Sequence, residues 1–231
     1  MKAVMTALKF LCLMLIGVGG LAAAQDTSDS LRPASRTAEG TYLAGSADAP
    51  VKLVEYVSYT CPYCAIYEEV AVDGRAQRYL RSGILSVEIH HVIHDPVDLA
   101  TALLARCGEA GDFFRRHHAF MERQAVTLSS ITPALKQSWT DGTVTERVQR
   151  IAADTGLLEF AATLGIDKVG ATRCLTDSKE VALLERLAEV RDAGNGLELT
   201  PSFVLNGKVL ADIHTWAGVR MNLDQALSHA N

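Results

Sequence analysis

Cysteine is scarce in this chain: five in 231 residues, with one close pair, in the stretch VEYVSYTCPYCAIYEEV. A structural zinc site takes four Cys or His ligands, commonly as two close pairs. The second pair is missing, since Cys107 and Cys174 each stand alone. The seven histidines do not supply it either: His90 and His94 have helical ligand spacing but fall near a predicted strand. No metal and no cofactor is expected. Basic residues are outnumbered, 22 Lys and Arg against 27 Asp and Glu. Nucleic acid and anionic membranes are bound by clustered cations, so the charge balance argues against both as partners. Low-complexity segments and internal repeats are absent, and at 48% hydrophobic residues the chain can bury a substantial core.

Only one long apolar run is present, at residues 10–21. It is shorter than the ~20 residues that span a bilayer. Lys2 and Lys9 precede it and Ala22-Ala23-Ala24 follows, which is the layout of a cleaved secretory signal peptide over residues 1–24. An uncleaved anchor is the alternative reading. A lipoprotein is disfavoured, because Cys12 lies inside the apolar run. Cleavage leaves 20 basic and 27 acidic residues, a formal charge of −7, and an even set of cysteines: Cys61, Cys64, Cys107 and Cys174. The expected location is the periplasm or the exterior, where disulfides persist. An even count there suits one catalytic pair and one structural bridge.

Residues 25–47 are polar, with Pro33 and Gly40, and read as a flexible segment. Asp48-Ala49-Pro50 is turn-like, and the β-branched run 51–57 reads as a buried strand. Pro62 falls where a helix would begin, and proline is favoured in a first turn because its missing N–H needs no partner there. Helical spacing continues over 65–80 until Gly83, and 84–93 reads as a second strand. The stretch 97–193 is helical in pattern, with segments near 98–107, 112–123, 145–153, 158–164, 171–175 and 178–193. A capping signal lies in Thr143-Val144-Thr145-Glu146. Gly194-Asn195-Gly196 ends the block. Strands at 202–205 and 209–211 flank Asn206-Gly207, a strong hairpin signal, and 217–228 closes as a helix. The order is β-α-β, a helical block, then β-β-α. Phe113, Phe114, Phe120, Trp139 and Trp216 are assigned to packing, and most histidines to the surface or to satisfied core positions.

A C-x-x-C at a strand-to-helix junction puts the first sulfur at a helix N-terminus. Free N–H groups and the helix dipole stabilise a thiolate there. The second sulfur sits one turn on, close enough to attack a mixed disulfide. The strand–CPYC–helix opening, the late Thr200-Pro201 before a hairpin and the terminal helix together resemble the thioredoxin fold. With its helical block, the chain from Asp48 onward resembles the DsbA family of exported thiol–disulfide oxidoreductases. That resemblance implies an α/β thioredoxin fold, a central mixed sheet built by 48–96 and 194–231, with an inserted helical domain at 97–193. It implies Cys61 as nucleophile, Cys64 as resolving thiol, Pro62 and Tyr63 as the dipeptide tuning the potential, and Thr200 with a cis Pro201 as the substrate-facing loop. Glu55, six residues before Cys61, matches the family's buried acid, and a buried carboxyl with a raised pKa could relay the proton of Cys64. Without that match Glu55 reads as an ion-paired or solvent-facing strand residue. Cys107 and Cys174 read as a second, non-catalytic disulfide, with two buried free thiols as the alternative.

Direction is left open by the same residues. Tyr63 is neutral and adds no positive charge beside the thiolate, and Pro-Tyr with Thr before the cis proline also occurs in isomerase-like relatives. Residues 25–47 are too short and polar for an isomerase's dimerisation domain. The reading is a monomeric oxidase of reduced or misoxidised exported proteins, with a membrane redox partner possible. The alternatives are a reductase or isomerase of the same chemistry, a redox-inactive binding or chaperone module, and a glutathione-using transferase. The last two have no need of two intact thiols.

Overall fold

The computed structural model describes residues 34–72, 75–191 and 196–229. The predicted signal peptide, residues 25–33 of the predicted flexible segment, and Gly194-Asn195 lie outside them.

The sheet is organised around β3 (Val51–Val57). Side chains alternate between the faces of a strand, and here Val51, Leu53, Glu55 and Val57 share the buried face. The apolar run thus carries its one acid inward. Beside β3 lies β4 (Leu85–His91), parallel to it, with Glu55 opposite Ile89. Parallel neighbours need a crossover, supplied by α1 (Pro62–Val72) and α2 (Arg75–Ser82). On the other side β5 (Ser202–Leu205) runs antiparallel, with Phe203 opposite Glu55, and β6 (Lys208–Val209) completes the hairpin. Asn206 and Gly207 turn it with φ of 49° and 79°, the left-handed region that a two-residue hairpin turn requires.

The sheet begins earlier than expected. β1 (Ser35–Arg36) and β2 (Tyr42–Gly45) extend it beyond β4, giving the order β1-β2-β4-β3-β5-β6. The flexible reading of 25–47 is therefore corrected over this stretch. Tyr42 is buried and stacks on Phe113 with ring centroids 3.8 Å apart. The Thr41 hydroxyl donates to Glu88 at 2.5 Å, and Arg36 pairs with Glu180. Four residues show too little periodicity to mark a strand, and these partners lie far along the sequence.

Between β4 and β5 run α3 (Pro96–Ala105), α4 (Phe113–Glu122), α5 (Gln124–Ser129), α6 (Pro133–Ser138), α7 (Val144–Asp154), α8 (Leu157–Thr163), α9 (Lys168–Leu175) and α10 (Ser178–Arg191). The sequence pattern did not mark the short α5 and α6. Helix α3 is buried on every side from Val97 to Ala105, as expected for a central helix. Asp95 caps it, accepting from the N–H groups of Val97 and Asp98, and Pro96 opens it. Thr143 and Glu146 form a reciprocal capping box on α7. Apart from α5, these helices share one continuous buried cluster with the sheet. Helix α11 (Trp216–His229) covers the β3–β5 side.

A disulfide joins Cys107, just past α3, to Cys174 in α9, with Cα atoms 5.7 Å apart and a sequence separation of 67. Closing a loop of that length removes entropy from the unfolded chain worth about 4 kcal/mol in the chain-entropy model. Replacing both cysteines by alanine is expected to lower unfolding stability by about that amount while leaving the Cys61–Cys64 couple functional. Denaturant unfolding of the double variant measures it, and an unchanged midpoint would contradict it.

Candidate functional site

Cys61 ends the loop after β3 and α1 starts at the next residue, Pro62. Apolar burial on α1 falls on Cys64, Tyr67 and Ala71, whereas Tyr63 and Ile66 are 69% and 59% exposed. The two sulfurs therefore differ in surroundings: Cys61 is half-buried and Cys64 has no exposure at all.

Their acidities separate accordingly. The Cys61 thiol is lowered to about 5, first by the hydrogen bond from Cys64, against the cost of burial, then by the Thr200 side chain and the backbone N–H groups of Cys64 and Tyr63 at the helix start. The first-turn N–H groups of a helix have no partner further back in the helix, although the Cys64 N–H also reaches the Cys61 carbonyl at 3.0 Å. Burial and the Cys61 charge push the Cys64 thiol far up instead. At pH 7 Cys61 is a thiolate and Cys64 a thiol.

Facing Cys61 is the loop before β5, where the Thr200–Pro201 peptide is cis. The Cys61 thiol lies 3.1 Å from the Thr200 carbonyl oxygen. The Thr200 hydroxyl is 2.9 Å from His94 Nε2, and His214 Nδ1 meets the Pro201 carbonyl at 2.8 Å. If His94 Nε2 donates, the Thr200 hydroxyl keeps its own proton for the Cys61 thiolate.

The loop carrying Cys61 is gripped by the helical block. Asp98 of α3 accepts the Ser58 hydroxyl at 2.5 Å, the Tyr59 N–H at 2.8 Å and the His94 N–H at 3.0 Å. One carboxyl thus ties the Cys61 loop to the residue that touches Thr200. Burial lifts Asp98 to about 7 although these three donors favour the anion. From α5, the Gln124 amide donates to the carbonyls of Tyr59 at 3.0 Å and Cys61 at 2.9 Å. The sequence reading missed Asp98, Gln124 and His94. Their bonds to the Cys61 loop and to Thr200 cross 39 or more residues of chain, and no local pattern announces such contacts.

Beneath α1, Glu55 is 5% exposed and accepts the Tyr67 hydroxyl at 2.6 Å. Burial, and then the charge of Glu68, raise it to about 8. It is thus protonated at neutral pH. The structure brings together Cys61, Pro62, Tyr63 and Cys64 with Thr200 and Pro201, and places Glu55 in the layer below. Cys107 and Cys174 lie outside this site, in their own disulfide. Among the described residues no cluster of His, Cys, Asp and Glu could hold a metal ion.

Residues 37–225 match the family model described as thioredoxin, and the chain belongs to that family. A protein-disulfide isomerase from Novosphingobium aromaticivorans superposes with a TM-score of 0.76, is 32% identical, and aligns over 80% of this chain and 96% of its own. Alpha-DsbA1 of Wolbachia pipientis shares the fold at a TM-score of 0.63 and 18% identity, over 82% of this chain and 92% of its own. The architecture is the DsbA-like form of the thioredoxin fold. Among sequence relatives, a protein of Rickettsia bellii named "Putative protein-disulfide oxidoreductase" is 24% identical over 193 residues, 83% of this chain and 66% of that one. A similarly named protein of Rickettsia prowazekii is 24% identical over 210 residues, 87% and 70% of the two chains. The chain spans about two thirds of the length of these relatives.

With the reduced protein, titration of thiolate absorbance is expected to show one midpoint near 5 that vanishes in Cys61→Ala. Because the acid form is the unreactive one, alkylation of Cys61 slows only as pH falls through that value. A midpoint near the free-cysteine value of ~8.5 would contradict the account of the helix N-terminus.

Proposed function

We propose that this chain is an exported thiol–disulfide oxidoreductase that donates the Cys61–Cys64 disulfide to reduced proteins. The observation carrying the reading is the division of labour between the sulfurs: one half-buried thiolate at a helix start, one fully buried thiol behind it.

In the oxidised state a substrate thiolate attacks Cys61 Sγ. A new S–S bond forms to Cys61, the Cys61–Cys64 bond breaks, and Cys64 leaves with the electron pair. Its thiolate is buried and needs a proton. Glu55 holds one at neutral pH, and Tyr67, which bonds Glu55, also senses the Cys64 charge. Glu55 is read as the relay that supplies this proton, with Tyr67 beside it. A second substrate thiolate then attacks the substrate sulfur of the mixed disulfide, forming the substrate disulfide and releasing Cys61 as a stabilised thiolate. Two electrons have passed to the pair, which a separate redox partner must reoxidise.

Exposed apolar side chains lie on the two segments that meet at Cys61: Tyr63 and Ile66 on α1, and Leu199 at 65% exposure just before Thr200. Such a rim suits unfolded segments, whose apolar side chains are still accessible. A stabilised Cys61 thiolate favours the reduced pair and so makes the disulfide oxidising, which supports donation over reduction. The isomerase reading is kept by Pro62-Tyr63 and Thr200, and by the name of the Novosphingobium relative. Among the described residues no helix is long and apolar enough to cross a membrane. A periplasmic or secreted, monomeric protein working on misoxidised and reduced exported chains, with a membrane redox partner, is the setting we propose.

The mature protein is expected to accelerate oxidative refolding of a reduced, disulfide-containing substrate, and Cys61→Ala to abolish the acceleration. Glu55→Gln is expected to keep activity but to slow Cys64-dependent breakage and closure by about 100-fold, in the range of a positioned proton donor, with its pH profile flattened. Stopped-flow formation and resolution of the mixed disulfide measures this. Equal refolding by Cys61→Ala would contradict the function, and an unchanged pH profile in Glu55→Gln would contradict the relay.

A further inference from the structure

The buried thiol has a hydrogen-bond donor that the chemistry above does not use. The backbone N–H of Ser58, the residue that follows β3, donates to Cys64 Sγ at 3.5 Å. Both residues are buried. Water therefore does not stand in for this N–H, and the donor is only as good as the placement of Ser58. The sheet fixes one side of that placement: the Val57 carbonyl, in the same peptide plane, accepts the Val92 N–H at 2.8 Å. The other side is held through the Ser58 hydroxyl. Ser58 Oγ accepts the Thr60 N–H at 3.1 Å and gives its own proton to Asp98 Oδ2 at 2.5 Å. The Cys61 N–H closes the turn onto the Ser58 carbonyl at 3.4 Å. The bonds within Ser58–Cys61 move with the loop, whereas the bond to Asp98 ties Ser58 to a helix. Asp98 lies in the first turn of α3, the helix buried on every side, so its carboxyl is a fixed point.

We propose that Asp98 is a positioning residue for the opening of the Cys61–Cys64 disulfide: by holding Ser58 it keeps a backbone N–H on Cys64 Sγ, the atom that takes up the electron pair. The proposal rests on the reading of this pair as a disulfide donor. When a substrate thiolate bonds to Cys61, the Cys61–Cys64 bond breaks and its electron pair stays on Cys64 in a dry layer. An N–H that is a weak partner for a thiol becomes a charge-assisted donor to a thiolate. Burial and then Cys61 work against a charge on Cys64, and the Ser58 N–H, followed by the Thr200 side chain, opposes them. The N–H thus holds the charge until Glu55 supplies the proton. A thiol whose anion is stabilised also leaves faster. The residue type at position 98 follows from its donors. The Tyr59 N–H is on Oδ1, while the Ser58 hydroxyl and the His94 N–H are on Oδ2. An asparagine has one acceptor oxygen and one NH2 group. In either orientation its NH2 would meet a backbone N–H, that of Tyr59 or that of His94. A carboxylate accepts at both positions. This accounts for an acid where burial works against its ionisation.

The test separates the two sulfurs. Oxidised protein is mixed with excess dithiothreitol in a stopped-flow instrument at about pH 8, above the Asp98 value of about 7, where its carboxyl is ionised. Asp98→Asn is expected to slow opening of the Cys61–Cys64 disulfide by about 10-fold, the scale of one hydrogen bond to a charged group. Ser58→Ala deletes one oxygen and leaves Asp98 its bond to Tyr59, so a smaller slowing is expected. The double variant is expected to open no more slowly than Asp98→Asn, because both substitutions act through one contact. Alkylation of Cys61 in the reduced proteins involves no departure of Cys64 and is expected to keep its wild-type rate. A merely structural role, loosening the whole loop, would change both reactions together. Opening at the wild-type rate in the two single variants, or opening and alkylation slowed alike, overturns the proposal. If Asp98→Asn does not fold, Ser58→Ala decides alone, and an unchanged opening rate overturns it. Slowed opening with unchanged alkylation upholds it. That result, found with a wild type that does not accelerate refolding of a reduced substrate protein, upholds the positioning role and overturns the donor reading instead.

Discussion

The start of α1 governs the site. Its first turn must leave N–H groups free for the Cys61 sulfur while its next residue inward, Cys64, is sealed from solvent. A helix end standing alone would give its donors to water. Here it is docked: Asp98 holds the approach at Ser58 and Tyr59, Gln124 holds the carbonyls of Tyr59 and Cys61, and the Thr200–Pro201 loop closes the other side. The helical block between β4 and β5 thus shapes the site as well as covering the sheet, since both Asp98 and Gln124 come from it.

The second constraint is the handling of negative charge in a dry layer. Buried carboxyls resist ionisation unless charges or donors compensate. Glu55 has one donor and stays protonated, Glu68 faces two imidazoles and ionises, and Asp98 with three donors lies between. The same residue type serves three purposes because the side chains around it differ. Tyr63 adds no charge at the active site, so the Cys61 thiolate is stabilised by hydrogen bonds instead, first from the Cys64 thiol, then from the Thr200 side chain and the helix end.

Much of this was legible in the sequence. Pro62 marks the helix start and Asn206-Gly207 marks the hairpin, whereas the inward aim of Glu55 came from the resemblance and not from the alternation of β3 alone. The resemblance supplied the Thr200–Pro201 loop, which the structure sets against Cys61. What could not be read shares a physical cause. The pairing of β2 with β4 links residues more than 40 apart, and Asp98 and Gln124 act on backbone groups far along the chain. Each is an ordinary polar residue on a helix whose role appears only when the chain closes. The histidines show the same limit: as a sequence cluster they carry no signal, yet His94 meets Thr200, and His91 and His117 align through a tyrosine from the active-site loop.

The central claim is that the site stabilises the reduced pair by favouring the Cys61 thiolate, and so makes its disulfide oxidising. The reduction potential of the Cys61–Cys64 couple, measured at equilibrium with glutathione, tests it most directly. The account predicts a value toward the strongly oxidising end, near ~−120 mV. A value near ~−270 mV, that of a reductant, would contradict it.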